Sequence, residues 1–446
     1  MTLLTINQAL STSPRSEVLV QRCIDNMDRQ PALAAKVFTK QLREQALAQA
    51  AAYDQLRERG VPVPRYAGVP VSIKDLFDMT GEVTTCGSKV LADRQPAEAD
   101  AEVVRRLRNA GFIPIGRTNM TEFAYSGLGL NPHYGTPENP WGRDDPRIPG
   151  GSSSGAAVAI TDQMAIASLG TDTGGSCRIP AALCGIVGFK PTASRVPQDG
   201  VSPLSRSLDS VGTLGASVEC VAILNDVLAG DTVRPLPRIG LRGLRFAVPE
   251  TLVLEGMDGP VAAAFQRTLE RLASAGVQID HIPLRELGEL PSINEKGGFA
   301  AAEAWTWHRQ LISAHRDRYD PNVVVRIEKG QQQSAADYID LLAARADLQR
   351  RVAPVTANYD AVIMPTVPTV APTLRQMDDP KSFQQSNLLM LRNPSVANFL
   401  DRCAISLPCH EQGSAPVGLM LMGEHGGDSR LLGLAHAVEQ WLLGTK

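Results

Sequence analysis

The sequence predicts an α/β fold: one large domain in which a central, mostly parallel β-sheet is covered by α-helices. Three observations lead there. From Ala67 onward, short apolar runs alternate with amphipathic helical stretches, the pattern of strands joined by helical crossovers. The chain has 446 residues, 43% hydrophobic and 20% charged, enough to bury a large core. No internal repeat, low-complexity tract or clear linker divides it, so 1–446 reads as a single unit.

The elements follow in order. Ser13-Pro14 reads as an N-cap with proline at the first helical position, opening a helix over Arg15 to Arg29. A second helix, rich in Ala, Gln and Glu, runs to about Arg59 and stops at Gly60. Residues 1–60 are thus expected to be a helical region packed outside the core. Val69-Pro70-Val71-Ser72-Ile73 is an apolar run expected as a buried strand with Lys74 at its end. Asp100 to Ala110 is an amphipathic helix closed by Gly111, and Phe112 to Ile115 the next strand. Ser154 to Ile160 reads as helix and Ala165 to Leu169 as strand. The alternation continues through Phe246 to Val248, a helix over Val261 to Ala275, then Ala361 to Met364, Ala404 to Leu407 and Val417 to Met422. A helix over Ser429 to Leu443 ends it. Residues of about 295–357 are helical throughout by pattern, an insertion or a cap over a site.

Composition excludes several function classes. A net charge of −3 gives no reason to expect a polyanion, so nucleic acid is set aside as a partner. The N-terminus lacks a basic segment followed by a long apolar run, and no window approaches the ~20 apolar residues of a membrane span. A cytoplasmic protein without membrane contact is expected. The seven cysteines, Cys23, Cys86, Cys177, Cys184, Cys220, Cys403 and Cys409, are irregularly spaced and read as reduced, mostly buried thiols. No His or Cys set stands at metal-ligand spacing, so neither metal nor cofactor is expected.

Chemistry concentrates in two glycine-framed serine motifs. Gly150-Gly151-Ser152-Ser153-Ser154-Gly155 precedes Gly170-Thr171-Asp172-Thr173-Gly174-Gly175-Ser176, with Ser152 and Ser176 24 residues apart. The first could be an anion-binding turn, but it lacks the Gly-Lys-Ser/Thr ending of a phosphate loop. Arg147-Ile148-Pro149 is also a poor strand for a dinucleotide fingerprint. It could equally cap the helix from Ser154. In the second, Gly174-Gly175 permits positive φ and lets consecutive N–H groups converge beside Ser176, as an oxyanion hole needs. Upstream, Lys74 sits among Val71, Ile73, Leu76 and Phe77. Apolar surroundings push a lysine toward its neutral, proton-accepting form.

Longer stretches carry a resemblance. Tyr66 to Asp75, Gly116 to Phe123, Pro149 to Ala157, Gly170 to Ala181, Gly185 to Thr192 and Pro416 to Gly423 resemble the amidase signature family of serine hydrolases. The similarity is weakest between about Arg234 and Asp360. It implies one large mixed sheet wrapped by helices. It also implies that Ser176 is the nucleophile, Ser152 the bridging serine reached through a cis peptide bond, and Lys74 the base. The N–H groups of Thr173, Gly174, Gly175 and Ser176 would form the oxyanion hole. Two departures from the family pattern are Ser154, where a glycine is common, and Cys177, where an aliphatic residue is common.

The function implied is metal-free hydrolysis of a C–N bond in an amide, anilide or carbamate. Met120, Tyr125, Gly127, Leu128, His133 and Arg178 are candidates for the substrate pocket, and a homodimer is compatible with the sequence. One alternative within the family is the glutaminase subunit of a glutamyl-tRNA(Gln) amidotransferase, with Arg326 and Asp401 as candidate glutamine-binding residues. A catalytically dead binding protein is the other, opposed by the presence of all three catalytic positions.

Overall fold

The apolar runs pair into one sheet in the computed structural model, which describes residues 3–12 and 15–444. Ser13 and Pro14 lie outside the described residues. The strands are β1 (Phe38–Gln41), β2 (Pro70–Lys74), β3 (Ile113–Thr118), β4 (Ala167–Asp172), β5 (Val187–Lys190), β6 (Ser210–Gly215), β7 (Arg245–Pro249), β8 (Gln278–Ile282), β9 (Ala361–Pro365), β10 (Ala404–Pro408) and β11 (Gly418–Met422). Their order across the sheet is β1-β3-β2-β4-β6-β5-β10-β11-β9-β7-β8. Helices cover it, as an α/β domain requires. β2 and β4 are buried at every residue, because strands covered on both faces carry apolar side chains without alternation. Their small polar residues meet each other: Ser72 and Ser168 share a hydroxyl–hydroxyl bond of 2.5 Å. β8 is the opposite case, an edge strand with polar side chains facing solvent.

One sequence expectation is corrected. The sheet is mixed but not mostly parallel. β2 runs parallel to β3 and β4, and β7 parallel to β8 and β9. The other six pairings are antiparallel. The connections explain the difference. A parallel return needs a crossover of a dozen or more residues, usually a helix. Helix Glu102–Asn109 supplies one between β2 and β3, and helix Gly259–Ser274 one between β7 and β8. Between β10 and β11 no helix intervenes, so the chain simply turns back.

The N-terminal region also differs in one element. Helices Ser16–Arg29, Pro31–Val37 and Arg43–Glu58 form, but β1 interrupts them and adds an edge to β3. The 295–357 stretch folds as helices Gly298–His315, Pro321–Glu328 and Ala335–Thr356. The first of these and the link to the second pack aromatic rings on Phe123. Ring centroids lie 5.8 Å away for Trp307, 4.3 Å for His308 and 5.3 Å for Tyr319. No helix among the described residues is long and apolar enough to cross a membrane.

Candidate active site

Because β2 and β4 are parallel neighbours, their carboxyl ends reach the same edge of the sheet. β2 ends in Lys74 and β4 in Thr171-Asp172. Lys74 is fully buried. Its Nζ lies 2.7 Å from Ser152 Oγ and 2.9 Å from Thr171 Oγ1. Burial lowers its pKa to about 8, although the thiol of Cys177 and the carboxylates of Asp172 and Asp209 favour the charged form. The adjacent Asp75 turns elsewhere. Its carboxylate accepts from Arg117 Nε at 2.6 Å, from the Thr85 hydroxyl, and from the Gly87 N–H at 3.4 Å.

Ser152 reaches Lys74 from the turn before helix Ser154–Thr161. The Gly151–Ser152 peptide is cis. The Gly151 N–H donates to the Gly127 carbonyl at 2.8 Å, and a Cβ on Gly151 would lie 2.5 Å from the Gly129 nitrogen. The Ser153 N–H donates to the Ser176 carbonyl at 3.2 Å, joining the two serine segments.

Ser176 closes the turn that leaves β4. Asp172 holds this turn from beneath. Its Oδ1 accepts the Gly175 N–H at 2.8 Å and its Oδ2 the Cys177 N–H at 3.1 Å. Gly175 sits at φ 119°, where a Cβ would meet Pro394 Cβ at 2.5 Å, so glycine is required by both backbone and space. Here the expected oxyanion set is corrected. The Gly175 N–H is engaged by Asp172, leaving those of Thr173, Gly174 and Ser176.

Arg178 is a second correction. Expected in the substrate pocket, it is wholly buried and all five of its guanidinium N–H groups are engaged. Nε and Nη2 donate to Asp172 at 3.1 and 2.8 Å, and Nη2 also to Asn398 Oδ1 at 2.7 Å. Nη1 donates to the Pro394 carbonyl at 2.9 Å and to Met420 Sδ at 3.0 Å. Burial alone would raise the Asp172 pKa, but Arg178 foremost, then Lys190 and Asn398, hold it well below the usual carboxylate range. Arg178 therefore neutralises and orients Asp172 and has no donor left for a substrate.

The remaining pocket candidates separate. Gly127 is held on both sides, its N–H donating to Asn387 Oδ1 at 3.0 Å and its carbonyl accepting from Gly151. Tyr125 lies beneath Arg326, whose guanidinium is 4.7 Å from the ring centroid and donates through Nη1 to the Tyr125 carbonyl at 2.6 Å. Burial lowers the Arg326 pKa, and no carboxylate among the described residues pairs with it. Met120 is enclosed, its carbonyl taken by Asn131 Nδ2 at 2.7 Å. Leu128 packs in an apolar cluster with Ile148, Ile179 and Leu183 and acts as core. His133 Nε2 lies 2.8 Å from the accepting Glu122 Oε1. Asp401 does not join Arg326; it accepts the Ala193 N–H at 3.1 Å and faces His425 at 3.3 Å.

Two participants escaped sequence reasoning. Thr171 touches Lys74, and its only signal was its place inside the glycine-framed motif. Asn398, which bridges Arg178 and Asp172, lies on helix Pro380–Phe399; nothing local marks it. Among the described residues no group of three or more His, Cys, Asp or Glu could hold a metal ion. All seven cysteines are free, and all but Cys409 are buried.

Comparison with known proteins points to one family. The Amidase family model matches residues 18–432. The chain is 36% identical over 396 residues to a 2-amino-5-chloromuconic acid deaminase of Comamonas testosteroni, covering 87% of this chain and 85% of the relative. It is 33% identical over 439 residues to a glutamyl-tRNA(Gln) amidotransferase component from Koribacter versatilis (strain Ellin345), covering 90% of each. A crystal structure of an amidase superimposes with a TM-score of 0.87 at 31% identity, covering 100% of this chain and 99% of the other.

Proposed function

This chain belongs to the amidase signature family, and on that premise we propose that it hydrolyses a C–N bond through an acyl-enzyme on Ser176, with Ser152 and Lys74 as its proton relay. The observation that carries the reading is the 2.7 Å contact between Lys74 Nζ and Ser152 Oγ in a fully buried setting. When neutral, Nζ accepts the Ser152 proton while Ser152 accepts that of Ser176. Ser176 Oγ then bonds to the substrate carbonyl carbon, and the carbonyl oxygen takes the negative charge. The N–H groups of Thr173, Gly174 and Ser176 are the donors for that charge, in a water-poor turn where such donors are most effective. Collapse breaks the C–N bond, and the relay returns the proton to the departing nitrogen. Water repeats the sequence at the ester and frees the acid.

The substrate we infer is an amide, anilide or carbamate that also carries a carboxylate. Arg326 supports this. Its guanidinium is only half-buried and has no carboxylate partner among the described residues, so it can meet an anionic group. The Comamonas relative is named for an acid. The amidotransferase reading is the weaker one, since Arg326 and Asp401 do not meet as a binding set.

The test is covalent. A fluorophosphonate probe should label the wild-type chain at Ser176, and Ser176→Ala should abolish both labelling and turnover. An adduct mapped to Ser152 in the intact protein, or normal labelling of the mutant, would sink the assignment.

A further inference from the structure

Thr173 begins the turn to Ser176, and its side chain is anchored. Its hydroxyl donates to Asp209 Oδ1 at 2.5 Å. The other carboxylate oxygen accepts the N–H groups of Leu204 and Ser205, both at 3.0 Å. Asp209 is buried, and burial raises its pKa to about 6 against those three hydrogen bonds. The 204–209 turn is also gripped from outside. Glu303, on helix Gly298–His315, accepts the Ser205 hydroxyl at 3.0 Å and the Ser207 N–H at 3.1 Å. Its second oxygen accepts the Tyr338 hydroxyl at 2.8 Å, and Arg345 Nη1 donates to the Ser207 carbonyl at 2.8 Å. Tyr338 and Arg345 lie on helix Ala335–Thr356. A path of hydrogen bonds thus runs from two outer helices, through one turn, to the first residue of the oxyanion loop.

The charge on Asp209 does not help the base. It favours the protonated form of Lys74, and a buried carboxylate is costly in its own right. What a carboxylate offers is acceptor capacity: two oxygens can gather donors from two separate segments. Threonine is stiff at χ1, so holding its hydroxyl also fixes the direction of its backbone. An oxyanion donor is effective only when aimed at a point about 2.7–3.1 Å away.

We propose that Asp209 is a positioning residue that aims the Thr173 N–H into the oxyanion hole and ties that loop, through Ser205, Ser207 and Glu303, to helices Gly298–His315 and Ala335–Thr356. The proposal rests on Ser176 being the nucleophile. Asp209→Asn keeps the shape but can accept at only one end, so its NH2 faces either the two backbone N–H groups or the Thr173 hydroxyl, which can then no longer donate to it. Thr173→Val keeps the shape and removes the hydroxyl, and it keeps the question testable should Asp209→Asn fold poorly.

The experiment measures kcat, KM and the fluorophosphonate labelling rate on the full chain. Each variant should lose about 10²-fold in kcat and in labelling rate, the scale of one oxyanion donor, with KM changed less than about threefold. Thr173→Ser should regain most of what Thr173→Val loses. The double variant should be no slower than the slower single, because the two residues act as one unit. If the wild type labels at Ser176 and the variants label equally fast, or if the two losses multiply, the positioning role is overturned alone. If the wild type does not label at Ser176, the nucleophile assignment fails and this role with it.

Discussion

The buried lysine makes a quantitative forecast. As the proposed base, Lys74 would act only when neutral, and burial lowers its pKa to about 8. At pH 7 roughly one Lys74 in ten is then neutral, whereas a solvated lysine with a pKa of ~10.4 would be neutral in fewer than about one in a thousand. Burial therefore raises the working fraction roughly 200-fold at neutral pH. The proposed role fixes the sign: activity rises as the proton leaves. The value of kcat/KM should climb about tenfold per pH unit from pH 6 and level off above about pH 8. The assay is steady-state hydrolysis of an anilide substrate that does not itself titrate over pH 6–9. Lys74→Ala should lose about 10²–10⁴ in kcat near neutrality, and its residual rate should lack the acid limb. A wild-type rate that is flat between pH 6 and 8.5, or a mutant that keeps the limb, would show that another group is the base.

Four further outcomes follow from the same geometry. Arg178→Met leaves the Asp172 carboxylate buried and unpaired, and should destabilise the fold by about 3–5 kcal/mol in denaturant titrations. Gly175→Ala forces a side chain at φ 119° against Pro394 and should cost at least ~1–3 kcal/mol, with kcat falling alongside the unfolding midpoint. Arg326→Met should cut the preference for a carboxylate-bearing substrate over a neutral analogue by about 10–100-fold, the worth of a charged hydrogen bond, read as a ratio of kcat/KM values. Incubation with EDTA should leave the rate unchanged; loss restored by added zinc would refute the serine route.

The residues of the candidate site were easier to single out in the sequence than the directions of the strands. Lys74 after an apolar run, and serines framed by Gly150-Gly151 and Gly174-Gly175, are local signals because tight turns and buried strands have local chemical needs. Strand direction has no such signal. β10 and β11 read as apolar runs whether parallel or antiparallel, and only the helix-free connection between them decides. β1, four residues between helices, was too short to register. Arg178 misled because proximity to Ser176 in sequence suggested the pocket, while its partners Asn398, Pro394 and Met420 come from more than 200 residues away. Helix Pro380–Phe399 was missed because its enclosed face carries Asn387, Asn393 and Asn398, which a hydrophobic pattern cannot detect.

The division of the site along the chain has a consequence for how such an enzyme can change. Lys74, Ser152 and Ser176 come from the first part of the sheet, whereas Arg326 arrives on helix Pro321–Glu328, between Glu303 and Tyr338 in sequence. That helical stretch packs on Phe123 and Tyr125 as well as on the 204–209 turn. On the proposed reading, a change at Arg326 alone would alter substrate preference while Glu303, Tyr338 and Arg345 keep their contacts at the 204–209 turn. Divergence by this route would keep the proposed acylation residues and vary what is presented to them.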